Sequence, residues 1–121
     1  SNAVHQASKL ERAEREAFLS WLFDLEYRRL ELPEPDLVVY LDLPVELTER
    51  LLRARRERTH TQADIHEQDE AYLRSCRENA REIARDLGWR RIDCSRNGDL
   101  RTPEDIHREV WELVRPLTER Q

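Results

Sequence analysis

The sequence predicts an α/β fold in which parallel strands alternate with helices. Leu37–Leu41 is a continuous apolar run typical of a strand, and Trp89–Cys94 is a second, shorter candidate. The predicted order is helix, strand, helix, helix, strand, helix, and strands that alternate with helices in this way lie parallel. Two parallel strands cannot form a covered sheet on their own. The chain therefore has the pattern of half of a doubly wound domain. Strands from elsewhere would complete its sheet.

The first helix is predicted from about Lys9 to Arg29, and Ser8-Lys9-Leu10-Glu11 has the pattern of a capping box at its start. Apolar side chains cover about half of its circumference. These side chains are Phe18, Leu19, Trp21, Leu22, Phe23 and Leu25. A stripe of this width has two explanations: deep burial in a larger fold, or a second apolar face that binds a partner helix or a second copy of the chain.

Pro33 and Pro35 prevent the first helix from continuing. The run Leu37–Leu41 then predicts a strand buried on both faces, as in a parallel sheet. A second helix is predicted from about Val45, and Thr59–Ala63 interrupts its pattern.

The C-terminal half of the chain carries clear helix boundaries. A long helix is predicted over about Glu67–Leu87, with Gly88 at the position that follows its last turn. Trp89–Cys94 is the second strand, and Ser95–Arg101 is predicted to be a polar loop. Thr102–Asp105 then supplies an N-cap, a proline at the first helical position and an acidic first turn for the last helix.

Composition excludes several classes of function. The 26 acidic and 21 basic residues leave a net charge of −5, so the chain as a whole has no field that would attract nucleic acid or a membrane. No apolar run approaches the roughly 18 residues of a membrane span, and we expect a cytoplasmic protein. Cys76 and Cys94 are then expected to be buried free thiols. With only Gly88 and Gly98 as glycines, neither GxxxxGK[ST] nor GxGxxG is possible.

Charge is most uneven at residues 50–58, where five arginines accompany one glutamate and acidic residues follow. A solvated helix face with local ion pairs is one explanation. The other is a mobile flap whose guanidinium groups cover phosphates and compensate the charge of phosphoryl transfer. Asp64-Ile65-His66-Glu67 lacks a convincing metal-ligand spacing, so we expect no bound transition metal.

Residues 32–44, Leu-Pro-Glu-Pro-Asp-Leu-Val-Val-Tyr-Leu-Asp-Leu-Pro, resemble the LPxPDLVxxLDxP motif that leads into the fourth strand of thymidylate kinases. The arginine-rich helix and the acidic segment after it are similar to the lid region of that family, here about residues 53–66. Ile92–Ser95 and Glu104–His107 resemble its last strand and helix. The resemblance covers essentially all of residues 1–121, but only as the C-terminal part of one P-loop nucleoside monophosphate kinase domain.

This resemblance implies an activity, which is transfer of the γ-phosphoryl group of ATP to dTMP with Mg²⁺. Arg55 and Arg56 match the lid arginines best, followed by Arg53 and Arg58. The family also implies a homodimer formed through the first helix.

Residues 1–6 resemble the segment that follows the Asp-Arg-Tyr motif of the family, although Ser-Asn-Ala is also a common cloning remnant. The resemblance makes Asn2 and Gln6 amides that contact a pyrimidine base, and places His5 beside the sugar, where the family usually has tyrosine. It places Arg96 beside adenine. The residues that it places near the monophosphate acceptor are Asp64, His66 and Glu67.

The phosphate-binding loop, its lysine and the Asp-Arg motif have no counterpart in these residues. We therefore expect the isolated 121 residues to bind nucleotide poorly and to transfer no phosphoryl group. Two alternatives remain open. One is a kinase-like protein that has lost catalysis and only binds nucleotides or partners. The other is an α/β interaction module in which the arginine cluster is a surface feature without a role in function.

Overall fold

The computed structural model describes residues 2–7, 9–60 and 70–119 and is an α/β protein with a small parallel sheet. Asp64, His66 and Glu67 lie outside the described residues. The elements in chain order are α1 (Asn2–Ala7), α2 (Arg12–Phe23), a π-helical segment (Asp24–Arg29), β1 (Val39–Asp42), α3 (Val45–Thr59), α4 (Glu70–Asp86), β2 (Arg90–Asp93), β3 (Ser95–Arg96), β4 (Asp99–Leu100) and α5 (Pro103–Thr118).

The two predicted strands pair in parallel, with Val39 opposite Arg90 and Asp42 opposite Asp93. Both α3 and α4 lie between them in the chain, as expected for parallel strands. The prediction that the first strand is buried on both faces is wrong for the described residues. Leu41 is 53% exposed, because β2 is the only strand within the described ranges that pairs with β1.

The helix predicted from about Lys9 to Arg29 corresponds to two elements, α2 and the π-helical segment, and α1 is an additional short helix before it. The capping box prediction fails because α2 begins at Arg12, with Glu11 in the N-cap position and no hydrogen bond from its side chain. Ser8 lies outside the described residues. The chain continues helically to Arg29, but Leu30 N–H donates to the carbonyl of Leu25, five residues earlier, as in a π-helix.

A small core joins α1, α2 and α4. Its buried side chains are Ala3, Ala7, Leu19, Leu22 and Ile83. Arg15 is only 4% exposed and donates to Asn79 Oδ1 at 2.9 Å and Glu82 Oε2 at 2.6 Å, which fastens α2 to α4. Trp21 is exposed, so the apolar stripe of α2 is covered only in part.

Helix boundaries in the second half follow the predicted chemistry. Gly88 has φ +71°, and the amide groups of Gly88 and Trp89 donate to the carbonyls of Arg85 and Ala84, the pattern of a Schellman motif. Thr102 caps α5, because its hydroxyl accepts from the Asp105 amide at 3.1 Å.

The prediction of a loop at residues 95–101 is wrong, because the structure has a β-hairpin there. β3 and β4 pair antiparallel, with Ser95 opposite Leu100. Asn97 and Gly98 form the turn, and both have positive φ, as a two-residue type I′ hairpin requires. Both cysteines are free thiols as predicted, although Cys94 is buried and Cys76 only half-buried.

Candidate functional site

The carboxyl ends of β1 and β2 carry an aspartate each, Asp42 and Asp93, which face each other across the parallel pair. This edge is where open α/β sheets bind their ligands. Asp93 is occupied locally, because its Oδ1 accepts from both the amide and the hydroxyl of Ser95 at 3.0 Å. Asp42 instead contacts side chains from distant parts of the chain.

Asp42 is completely buried and holds three guanidinium groups. Its Oδ2 accepts from Arg91 Nε of β2 at 2.6 Å, and its Oδ1 accepts from Arg77 Nε of α4 at 2.9 Å. Arg81 Nε lies 3.5 Å from Oδ2. The Tyr40 hydroxyl donates to Oδ1 at 3.3 Å. We call these five residues the Asp42 cluster.

Electrostatics fix the protonation states in the Asp42 cluster. Burial is the largest influence on Asp42 and would raise its pKa, but hydrogen bonds and charge from Arg77 and Arg91 together outweigh burial and lower the pKa. Burial, followed by the nearby charge of Asp42, raises the pKa of Tyr40 to about 12. At neutral pH the carboxyl group is therefore ionised and the phenol is protonated.

Helical spacing explains how one carboxylate reaches two side chains of α4. Arg77 and Arg81 are four residues apart and so lie on the same side of the helix. Ala80 and Ala84 lie beside these arginines on the helix and, with Ile83, form its buried apolar side. Packing of that apolar side beneath the sheet places the arginines at the ends of the strands.

The four predicted lid arginines all lie on α3. Arg53, Arg55 and Arg58 are exposed, and Arg56 is half-buried with its Nε 3.4 Å from the carbonyl of Leu52. At about 100° per residue, these positions are distributed around the helix. The structure therefore places them along the later turns of α3 and does not bring them together on one face.

His5 lines an open groove of about 610 Å³ between α1, the π-helical segment and β1. The same groove is lined by Tyr27, Tyr40 and Trp89, which supply flat aromatic surfaces. Gln6 is exposed on α1 and does not line this groove, and Asn2 is the first residue of that helix. We call this space the aromatic groove.

Arg96 is on β3, directly after the last parallel strand, and is exposed. Its Nη2 lies 3.5 Å from Asp105 Oδ2. Arg101 binds the same carboxylate at 2.9 Å and Glu109 at 2.6 Å. Arg96 therefore belongs to the hairpin and α5 and is not part of the Asp42 cluster.

Sequence reasoning missed the arginines that contact Asp42. Arg77, Arg81 and Arg91 stand among many other arginines, and nothing in their spacing marks them out. One feature could have drawn attention to Asp42: it ends an apolar strand, where a polar side chain lies at the ligand-binding edge.

The described helices include none long and apolar enough to cross a membrane. In the same residues there is no group of three histidine, cysteine, aspartate or glutamate side chains that could hold a metal ion.

Comparison with known proteins identified no relative of the chain. Neither family models nor curated proteins nor solved structures gave a match to the chain.

Proposed function

We propose that these residues are the C-terminal part of a nucleoside monophosphate kinase similar to thymidylate kinases, and that the complete protein transfers the γ-phosphoryl group of ATP to dTMP. The observation that carries the proposal is the position of α3. This helix begins at Val45, directly after the carboxyl end of β1 where α/β proteins bind ligands, and exposes arginines along its later turns.

Guanidinium groups suit this task because they keep their charge at any physiological pH and donate in pairs to phosphate oxygens. In phosphoryl transfer they compensate the negative charge that spreads over the transferred group. Arg55 and Arg56 are our leading candidates, with Arg53 and Arg58 next. Their spread around α3 means that one face of the helix would present only some of them to a bound phosphate.

The aromatic groove is the proposed nucleoside site. Its volume of about 610 Å³ lies in the range of roughly 300–1,000 Å³ that small-molecule sites occupy. Tyr40 and Trp89 offer surfaces on which a pyrimidine can stack, and His5 supplies a polar group at the rim. Asn2, Asp64, His66, Glu67 and Arg96 keep their proposed binding roles, whereas Gln6 does not line this groove and is not assigned a base contact in it.

ATP and Mg²⁺ do not fit a site made by these residues alone. Gly88 ends a helix and Gly98 forms a hairpin turn, so the chain has no glycine-rich loop to surround a triphosphate. Residues outside this sequence would have to hold both. The exposed Trp21, whose ring centroid lies 5.9 Å from that of Phe18, supports a homodimer formed through α2.

A protein-interaction module is the second candidate, and the open edge of β1 favours it. Leu41 is exposed on a strand that pairs with β2 alone among the described residues. A partner that adds a strand at this edge would satisfy the main chain of β1 and cover Leu41.

Two experiments test the proposed kinase. The first is the gene sequence upstream of Ser1, where a GxxxxGK[ST] loop supports the enzyme and its absence supports a protein that has lost catalysis. The second is titration of dTMP into the whole gene product by calorimetry. Absence of binding at millimolar dTMP would remove both nucleotide hypotheses.

Single replacements Arg55→Ala and Arg56→Ala in the whole gene product separate catalysis from binding. We expect kcat to fall by about 100-fold or more while dTMP affinity changes little, because the lost charge acts on the transferred group. Arg108→Ala is the matched control, since Arg108 is an exposed arginine of α5. Unchanged turnover in both α3 variants would contradict the lid assignment.

A further inference from the structure

A second groove lies on the outer side of α4 beside β2. It has a volume of about 380 Å³ and is lined by Glu78, Arg81, Glu82, Arg85 and Arg91. We call it the arginine groove. Three of its five lining side chains are guanidinium groups, and neither the aromatic groove nor the predicted lid includes any of them.

Two of these guanidinium groups, those of Arg81 and Arg91, contact the buried carboxylate of Asp42. Arg91 gives its Nε–H to Asp42 Oδ2 at 2.6 Å, and Arg81 Nε lies 3.5 Å from the same oxygen. The terminal nitrogens of Arg81 have no acceptor within the described residues, and Arg91 Nη2 is 3.8 Å from Asp93. Donors held in place by a buried carboxylate lose little entropy when they bind a ligand.

The charge of the groove is positive once its internal ion pairs are considered. Glu82 accepts from the buried Arg15 at 2.6 Å, so its charge is compensated from inside the protein. Arg85 is exposed, and its one ion pair within the described ranges is with Asp86, at 3.8 Å. Glu78 in the lining and Asp42, which contacts Arg81 and Arg91, then oppose the three arginines, so the positive charge of the groove is small.

We propose that the arginine groove binds a phosphate group, either inorganic phosphate or the phosphate of a small monoester. A dianionic tetrahedral group can accept hydrogen bonds from several guanidinium nitrogens at once, which a single carboxylate does less well. The donors come from Arg81 and Arg91, which contact Asp42, and from the more exposed Arg85. This site is separate from the α3 arginines and does not depend on the proposed kinase activity.

The test is a titration of inorganic phosphate into the whole gene product at constant ionic strength, followed by NMR of the arginine Nε–H groups. We expect saturable shifts of the Arg81 and Arg91 signals. Arg85→Gln should weaken binding about tenfold, since one charge-assisted hydrogen bond is lost. Arg85 is exposed and does not contact Asp42, so this variant is expected to fold normally.

Arg90→Gln is the matched control, because it removes the same charge from the neighbouring residue of β2, which does not line this groove. Equal weakening by Arg85→Gln and Arg90→Gln would indicate general charge attraction and overturn the proposal. Shifts that never saturate would do the same.

A second control separates this site from the proposed lid. If Arg55→Ala abolishes phosphate binding while Arg85→Gln leaves it intact, phosphate binds at α3 and the groove proposal is wrong. Ribose 5-phosphate in place of phosphate distinguishes the two sources, since tighter binding of the ester with the same Arg85 dependence would identify a monoester as the ligand.

Discussion

Replacement of Asp42 by asparagine removes the charge that holds β1, β2 and α4 together. The variant keeps the size of the side chain but turns one acceptor oxygen into an NH₂ group that faces arginine donors. Loss of one partner from a buried ion pair costs about 3–5 kcal/mol when the other charge stays buried. The partner side chains of Arg77, Arg91 and Arg81 are 29%, 39% and 48% exposed, so water can solvate them after the change.

We therefore expect Asp42→Asn to lower the free energy of unfolding by about 3 kcal/mol, the lower end of that range. Urea denaturation followed by circular dichroism measures this value. Asp93→Asn is the matched control on the adjacent strand. The Asp93 side chain is 52% exposed, and asparagine can still accept from Ser95, so the control should cost less than about 1 kcal/mol. Equal losses in the two variants would refute the electrostatic role of Asp42.

Four further outcomes follow from described contacts. The pKa of Asp42 is lower in the folded protein than in the unfolded chain, so its stabilisation is complete above about pH 5 and is lost as the pH falls below about 4. The difference in unfolding free energy between wild type and Asp42→Asn should shrink over that range, and a difference that stays constant down to pH 3 would contradict the assignment. In a spectrophotometric titration at 295 nm, Tyr40 should ionise near pH 12, and Tyr40→Phe should remove that step. Arg15→Met should lower the free energy of unfolding by about 2–3 kcal/mol, because Glu82 and Asn79 lose their donor, whereas the exposed Arg12→Met should change it by less than about 0.5 kcal/mol in urea denaturation. Thr102→Ala should cost about 1 kcal/mol through loss of the α5 cap, and Thr102→Ser, which keeps the hydroxyl, should cost much less.

Helix boundaries that depend on one or two residues could be predicted from the sequence. Gly88 and Thr102 were identified because a left-handed position and an N-cap each favour a particular residue type wherever they occur. The parallel pair was predicted from the alternation of strands and helices. The Asn97-Gly98 hairpin also has a local pattern, but the polar residues around it favoured a loop.

The Asp42 cluster could not be predicted because its contacts are not local. Arg77 and Arg91 lie 35 and 49 residues from Asp42 in the chain, and no periodicity links them. The burial of Leu41 was overestimated for a related reason. An apolar strand is typical of a covered sheet, but the neighbours that would cover it need not lie in the same stretch of sequence. The short helix α1 was not predicted either, because it depends on the burial of Ala3 and Ala7 in the core shared with α2 and α4.

The long separation between β1 and β2 has a consequence for how the chain folds. Their contacts close a loop that contains both α3 and α4, and closing a loop of this length costs chain entropy before any strand contact forms. We expect the helices to form and associate first and the two strands to join last. Asp42 would then act mainly on the reverse step: its replacement should speed up unfolding far more than it slows refolding.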